Sequence, residues 1–303
     1  MQNIELNKRD FFGYGKSKPK INWPDNNKLA LSIVVNIEEG AELSVSSGDS
    51  ANEHVYENNV TKIENNIPDL CMESHFEYGL RSGFWRIIDL LDKYKLKATF
   101  SCCSQALEKS PWLIKEILTR EHEISAHSIK WISHSHFSED EERKIISQCY
   151  DDILKLSGKP PLGWHTRSAT SLNTRKLLIE HGGFLYDSNA YNDDLPYLVK
   201  FKNKPFVVIP YAFDTNDMRF ESNGGFVHSD DFFNYCKDAF DQLLLETKDQ
   251  GLKMMSIGLH PRIIGRPGRI NGLKKILEYV SRNKCVWVSK REDIAKYWLE
   301  TKI

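Results

Sequence analysis

Two adjacent carboxylates, Glu38 and Glu39, follow directly on the apolar run LALSIVVNI, and two histidines, His127 and His260, follow the apolar runs EISA and MMSIGL. Carboxylates and imidazoles are the side chains that exchange protons with water and with leaving groups near neutral pH. A carboxylate in a dry pocket gains proton affinity, enough to draw a proton from water. Neighbours on a strand point to opposite faces, but at a strand end the chain can turn, and Gly40 in NIEEG permits the turn. An acidic loop after a buried strand would carry the same letters, and His127 read alone fits a helix cap or a half-buried core position. His260 sits in LHPRIIGRPGR, whose three arginines, two prolines and two glycines describe an ordered, basic loop suited to an anionic or amide-rich ligand.

Such residues meet only if different strands end on one rim, which is how an α/β barrel builds a hydrolytic site. The chain alternates accordingly. The run 29–37, rich in Ile and Val, reads as a strand buried on both faces. FWRIIDLLDKY has helical spacing and precedes the strand-like KATFSC, and PWLIKEILTR leads to EISAHS. Further helices are expected at 139–156, with Ser138 as cap and Glu141 completing a capping box, and at 172–181, 230–246 and 271–282. VVIPYAF, MMSIGLH and CVWVS supply further strands. Residues 41–78 carry Ser, Asn, Gly and Asp with little periodicity and read as a long excursion over the barrel mouth. No repeat or low-complexity linker divides the chain, so one catalytic barrel over 29–303 is expected behind an N-terminal extension, 1–28.

Composition narrows the function. Lys plus Arg number 41 against 42 Asp plus Glu, so no long-range field recruits nucleic acid. No leader-like or membrane-spanning run is present, and six cysteines without zinc-type spacing read as free thiols in a reducing cytosol. A cytoplasmic protein acting on a small molecule, away from membranes, is expected. The histidines form no strong metal spacing. His127 and Trp131 stand at the first and fifth positions of a segment where a metal site would need two imidazoles, and His134 and His136 are awkwardly spaced to replace the second. In DTNDMRF, Asp214, Asn216, Asp217 and Arg219 offer donors and acceptors to a small polar ligand, although a buried turn network would use the same atoms.

Taken together, NIEEG, AHSIKW, GWHTR, VIPYAFDTNDMRF and GLHPRIIGRPGR resemble the polysaccharide deacetylase (NodB-like) family, and within it the branch containing the cofactor-independent allantoinases of urate catabolism. The resemblance runs from RDFFGYG at 9–15 to KREDIAKYW at 290–298. It implies a distorted (β/α) barrel, seven-stranded rather than eight-stranded, a homo-oligomer, and hydrolysis of a carbon–nitrogen amide bond. By position it makes Glu38 the general base, Glu39 the second, metal-binding acid, His260 the proton donor to the leaving group and Arg167 the arginine that orients the base. His127 and Ser128 match the start of a two-histidine metal motif whose second histidine is replaced by Trp131 or its neighbour. Indole has no lone pair for zinc.

The first reading is therefore a metal-free, allantoinase-like amidohydrolase opening a small cyclic or ureido amide such as allantoin. Glu38 and His260 move protons, Arg167 or Arg219 stabilises the oxyanion, and Glu39, His127, Trp131, Asn216 and Asp217 face the substrate. The second is a metal-dependent N-deacetylase of an amino sugar or polysaccharide, with a weakly held divalent ion such as zinc on Glu39, His127 and His134. The third is a catalytically silent binding protein on the same barrel.

Overall fold

Every residue of Leu29–Ile37 is buried, because this first strand, β1, lies in a sheet covered on both faces. The computed structural model describes residues 6, 8–16, 19–54, 64, 66–221 and 225–301. After β1 come α1 (Leu70–Tyr78), α2 (Phe84–Tyr94), β2 (Thr99–Cys102), α3 (Ser104–Lys109), α4 (Trp112–Leu118), β3 (Glu123–Ala126) and α5 (Glu139–Ser157). The second half holds β4 (Gly163–Trp164), α6 (Thr174–His181), β5 (Tyr186–Asp187), β6 (Tyr197–Phe201), β7 (Lys204–Val208), α7 (Ser229–Gln250), β8 (Lys253–Leu259), α8 (Pro261–Ile264), α9 (Ile270–Ser281), β9 (Val286–Val288) and α10 (Arg291–Glu300).

The sheet runs β6-β7-β5-β4-β3-β2-β1-β8, with β9 also paired to β1. Among the described residues the sheet has nine strands: β1 to β5 and β7 to β9 pair in parallel, β6 is antiparallel to β7, and β9 pairs with Leu29–Leu31 of β1, below the point where β2 takes over at Val34. The result is a distorted, open (β/α) half-barrel. β6 and β8 end the strand order; residues 215–216 run beside β8, with Gly258 N donating to Thr215 O at 3.0 Å and Thr215 Oγ1 to Ser256 O at 2.6 Å.

The helices form where the letters ask for them. α2 turns Phe84, Ile87, Ile88 and Leu91 into the core and ends on Lys95 in the left-handed region. α5 carries the expected capping box between Ser138 and Glu141 and closes on Gly158 at φ 71°. Three features differ from the sequence expectation. The segment 41–78 is not irregular throughout: α1 occupies its end and continues through a π turn, Gly79–Gly83, into α2; residues 55–63 and 65 of that expected loop lie outside the described residues. β6 and β7 form a hairpin whose turn holds Lys202 and Asn203 at φ 49° and 62°. The expected extension is packed at its near end: Trp23 is buried against Trp287, Tyr297 and Trp298, and its Nε1 donates to Lys253 O. Among the described residues, no helix is long and apolar enough to cross a membrane.

Candidate active site

β1 ends at Ile37, β3 at Ala126 and β8 at Leu259, so Glu38, His127 and His260 emerge on the same rim. The Oε1 atom of Glu38 lies 3.3 Å from Nε2 of His127 and 3.3 Å from Nε2 of His260. Its other oxygen, Oε2, accepts from Nη1 of Arg262 at 2.6 Å. All four side chains are buried, with Glu38 1% and His260 3% exposed, so each charge needs a partner within the cluster.

The two imidazoles are held from behind. Asp217 Oδ1 accepts from Nδ1 of His260 at 2.6 Å, while its Oδ2 accepts from the backbone N–H of His260 at 2.6 Å and of Ile264 at 3.2 Å. Nδ1 of His127 donates to the carbonyl of His165 at 2.8 Å, and the two rings stack at 4.9 Å. A carbonyl only accepts, so Nε2 is the nitrogen of His127 left to face Glu38.

Electrostatics divide Glu38 from His260. Burial opposes the charge on Glu38, but Arg262 and His260 outweigh it, and His127 adds a hydrogen bond; the carboxyl is held well below its ordinary range. Burial likewise opposes the imidazolium of His260, yet Glu38 and Asp217 raise it to about 10. Burial lifts Glu39 to about 7 against the pull of Arg262, with the charge on Glu38 adding to the rise. Glu221, on the chain just after Asp217, is also lifted to about 7 by burial, partly offset by Arg262 and His260. The cluster thus pairs an ionised carboxylate with a protonated imidazole at neutral pH.

Several side chains sit elsewhere than the sequence led one to expect. Arg167 does not touch Glu38: its guanidinium forks onto Glu53 at 2.6 and 3.0 Å, donates to Trp131 O and stacks 3.6 Å over the Trp131 ring. The arginine on Glu38 is Arg262, at the start of α8, where Pro261 sets the first helical position. Glu39, in the turn just past β1, accepts from the backbone N–H groups of Glu38 and Arg262, and its Oε1 lies 4.0 Å from the Arg262 Nη1 that holds Glu38. A Cβ on Gly79 would come within 2.3 Å of Glu39 Oε1, so only glycine fits beside it. Asp217 serves His260 rather than open space, and Asn216 caps the turn that follows it through Met218 N. Arg219 lies over Phe226 and Tyr235. His136 packs on Phe137. Sequence reasoning passed over Arg262, His165 and Phe76; Arg262 had one signal, its place two residues after His260 behind a proline.

The residues present do not fit the divalent ion of the second reading. Both carboxylate oxygens of Glu39 accept backbone N–H groups. His134, the other expected ligand, is spent on structure: Nε2 meets Ser128 Oγ at 2.8 Å and Nδ1 meets Glu142 Oε1 at 2.9 Å. Trp131 offers no lone pair, and the cation beside Glu38 is the guanidinium of Arg262, whose Cζ lies 4.5 Å from the Phe76 ring and 4.8 Å from the Trp131 ring. Among the described residues, no group of three or more His, Cys, Asp or Glu is arranged to hold a metal.

The polysaccharide deacetylase family matches residues 65–182. A putative polysaccharide deacetylase of Schizosaccharomyces pombe is 39% identical over 309 residues, 96% of either chain. The crystal structure of Puue allantoinase superposes with a TM-score of 0.92 at 40% identity, covering 97% of both chains. A probable polysaccharide deacetylase from Pseudomonas aeruginosa PAO1 gives 0.90 at 39%, over 96% of this chain and 97% of that one. With the half-barrel, its rim and nearly the whole sequence shared in this way, the chain belongs to the polysaccharide deacetylase family of amide-cleaving hydrolases.

Proposed function

We propose that this protein hydrolyses a small cyclic or ureido amide without a metal, with allantoin the first compound to test. The observation that carries the reading is the Arg262–Glu38 pair: the positive charge beside the base is supplied by the chain itself. The enclosure of Glu38, His127 and His260 favours a small ring over a polymer, which would need an open trough.

In this reading Glu38 is the general base and His260 the general acid. Glu38 Oε1, which lies 3.3 Å from Nε2 of both His127 and His260, is the atom that takes the proton of the attacking water. A carboxylate held so firmly ionised is a weak base on its own. It strengthens as His260 gives up its proton, because the cation depressing its proton affinity is then gone; the two transfers are coupled. Asp217 keeps the His260 proton on Nε2 available and the ring in place. With this reading go a place in purine catabolism, a cytoplasmic location and assembly as a homo-oligomer.

A second reading, N-deacetylation of an amino sugar, is favoured by the names of two of the relatives. A groove of about 590 Å³ beyond Glu39, lined by Glu42, Glu73, Lys109 and the stacked Trp85 and Trp112, also favours it, because a sugar ring packs on such an aromatic face. Turnover of allantoin, related hydantoins and N-acetylated amino sugars by the purified protein, before and after chelator treatment, separates the two. Hydrolysis of hydantoins that survives chelation is expected; turnover confined to N-acetylated sugars, lost to chelator and restored by a divalent ion, would sink the first reading.

A further inference from the structure

Arg262 uses only one edge of its guanidinium. Nη1 is on Glu38, and the ring faces of Phe76 and Trp131 lie against the guanidinium carbon, but Nε and Nη2 have no hydrogen-bond partner among the described residues, although both atoms are fully buried. The main chain around it is fixed: Arg262 N donates to Glu39 Oε1, and Ile264 N to Asp217 Oδ2. Its side chain and that of His260 therefore reach the same carboxylate from one short turn, one to Oε2 and the other to Oε1. A cationic donor edge, desolvated and unused, beside a base and an acid is the arrangement that stabilises charge developing on a reacting oxygen.

We propose that the free Nε–Nη2 edge of Arg262 binds the carbonyl oxygen of the scissile amide, making Arg262 a catalytic residue that meets the oxyanion as well as the anchor of Glu38. This rests on amide hydrolysis by Glu38 and His260, and not on which amide is the substrate. As the water oxygen bonds to the carbonyl carbon, its proton passes to Glu38 and the carbonyl π pair moves onto the oxygen facing Arg262. The pair then returns, the carbon–nitrogen bond breaks, and the leaving nitrogen takes the Nε2 proton of His260. Glu38 gives its proton back to His260 to restore the starting state.

Four measurements test this. Arg262→Ala is expected to lose about 100- to 1,000-fold in kcat with KM changed only a few-fold, as for removal of an oxyanion donor. Added guanidinium ion should restore part of that kcat where methylammonium at equal ionic strength does not. Arg262→Lys should recover little, because one ammonium cannot hold the carboxylate and the carbonyl with two parallel donors. In the wild-type protein, the Nε–H resonance of Arg262, assigned through Arg262→Lys, should move when hydantoin or N-acetylglucosamine binds; this readout stands even if the alanine variant fails to fold. Near-wild-type kcat in Arg262→Lys, or a bound ligand that leaves Nε–H unmoved, would overturn the proposal and give that edge to ordered water. If N-acetylglucosamine binds and moves the resonance while hydantoin does not bind, the ureide reading fails and the role of Arg262 stands. Binding of neither overturns both.

Discussion

Asp217 holds His260 at two points, Oδ1 on the ring Nδ1 and Oδ2 on the backbone N–H, each at 2.6 Å. The carboxylate thereby fixes both the orientation of the ring and the height of its proton affinity.

Replacing Asp217 by Asn should lower the proton affinity of His260, since Asp217 and Glu38 are the charges that raise it to about 10. His260 acts as an acid only while protonated. The alkaline limb of kcat/KM is expected near that value in the wild type and at least one unit lower in Asp217→Asn, read from a pH–rate profile. The same shift bears on stability. A folded-state value raised above the ordinary 6.5 contributes stability that is complete below 6.5 and is lost as pH rises through about 10. Urea midpoints should fall across that window, and fall less in the variant.

Glu38→Gln removes the base and leaves Arg262 as a buried cation without its anion. We expect kcat to drop by about 100- to 10,000-fold and the fold to lose about 3–5 kcal/mol, measured by single-turnover kinetics and urea unfolding. Wild-type turnover in this variant would remove Glu38 from the mechanism.

Arg167→Ala breaks the fork to Glu53 and uncovers the Trp131 ring, a wall of the site, without touching Glu38. Its effect should fall on KM, by roughly tenfold given about 1.4 kcal/mol of lost wall contact, while the acid limb of the pH profile stays in place. A shifted acid limb would return Arg167 to the role of orienting the base.

Glu142→Gln tests the assignment of His134 to structure. Glu142 also accepts from Thr174 and Ser171, and these bonds with His134 hold its carboxyl below the ordinary range in spite of burial. The amide cannot accept all of them, so a loss of about 2–4 kcal/mol is expected, with metal content by elemental analysis unchanged from wild type.

How much of this was legible in the sequence follows the range of the interactions. β1 announced itself because nine buried residues in succession leave no other reading, and α5 because Ser138 and Glu141 satisfy each other within one turn. Glu38, His127 and His260 stood out because each ends an apolar run, and the fold brings them into contact. β4 and β5 have two residues each, too few for any period to show. The β6–β7 turn uses Lys202 and Asn203 in left-handed conformations with no glycine to mark it. Arginine assignment failed for a different reason: Arg167 pairs with a residue 114 positions away, and Arg262 is one of three arginines in a basic loop whose letters do not say which of them turns inward.

The outer edge of β8 gives His260 an unusual footing. Asp217 follows directly on 215–216, which line that edge with an isolated bridge from Asn216 to Gly258 and a few hydrogen bonds, where β1 is paired along its length. Segments so thinly bonded open locally long before a sheet unfolds. Each opening would carry Asp217 away from His260 and let the imidazole lose its proton, so breathing at this edge would act as a brake on the proposed reaction. The amides of Gly258, His260 and Ile264, all bonded to 215–217, should exchange with deuterium as one unit and ahead of those in β1, and a bound substrate that keeps His260 charged should slow them together.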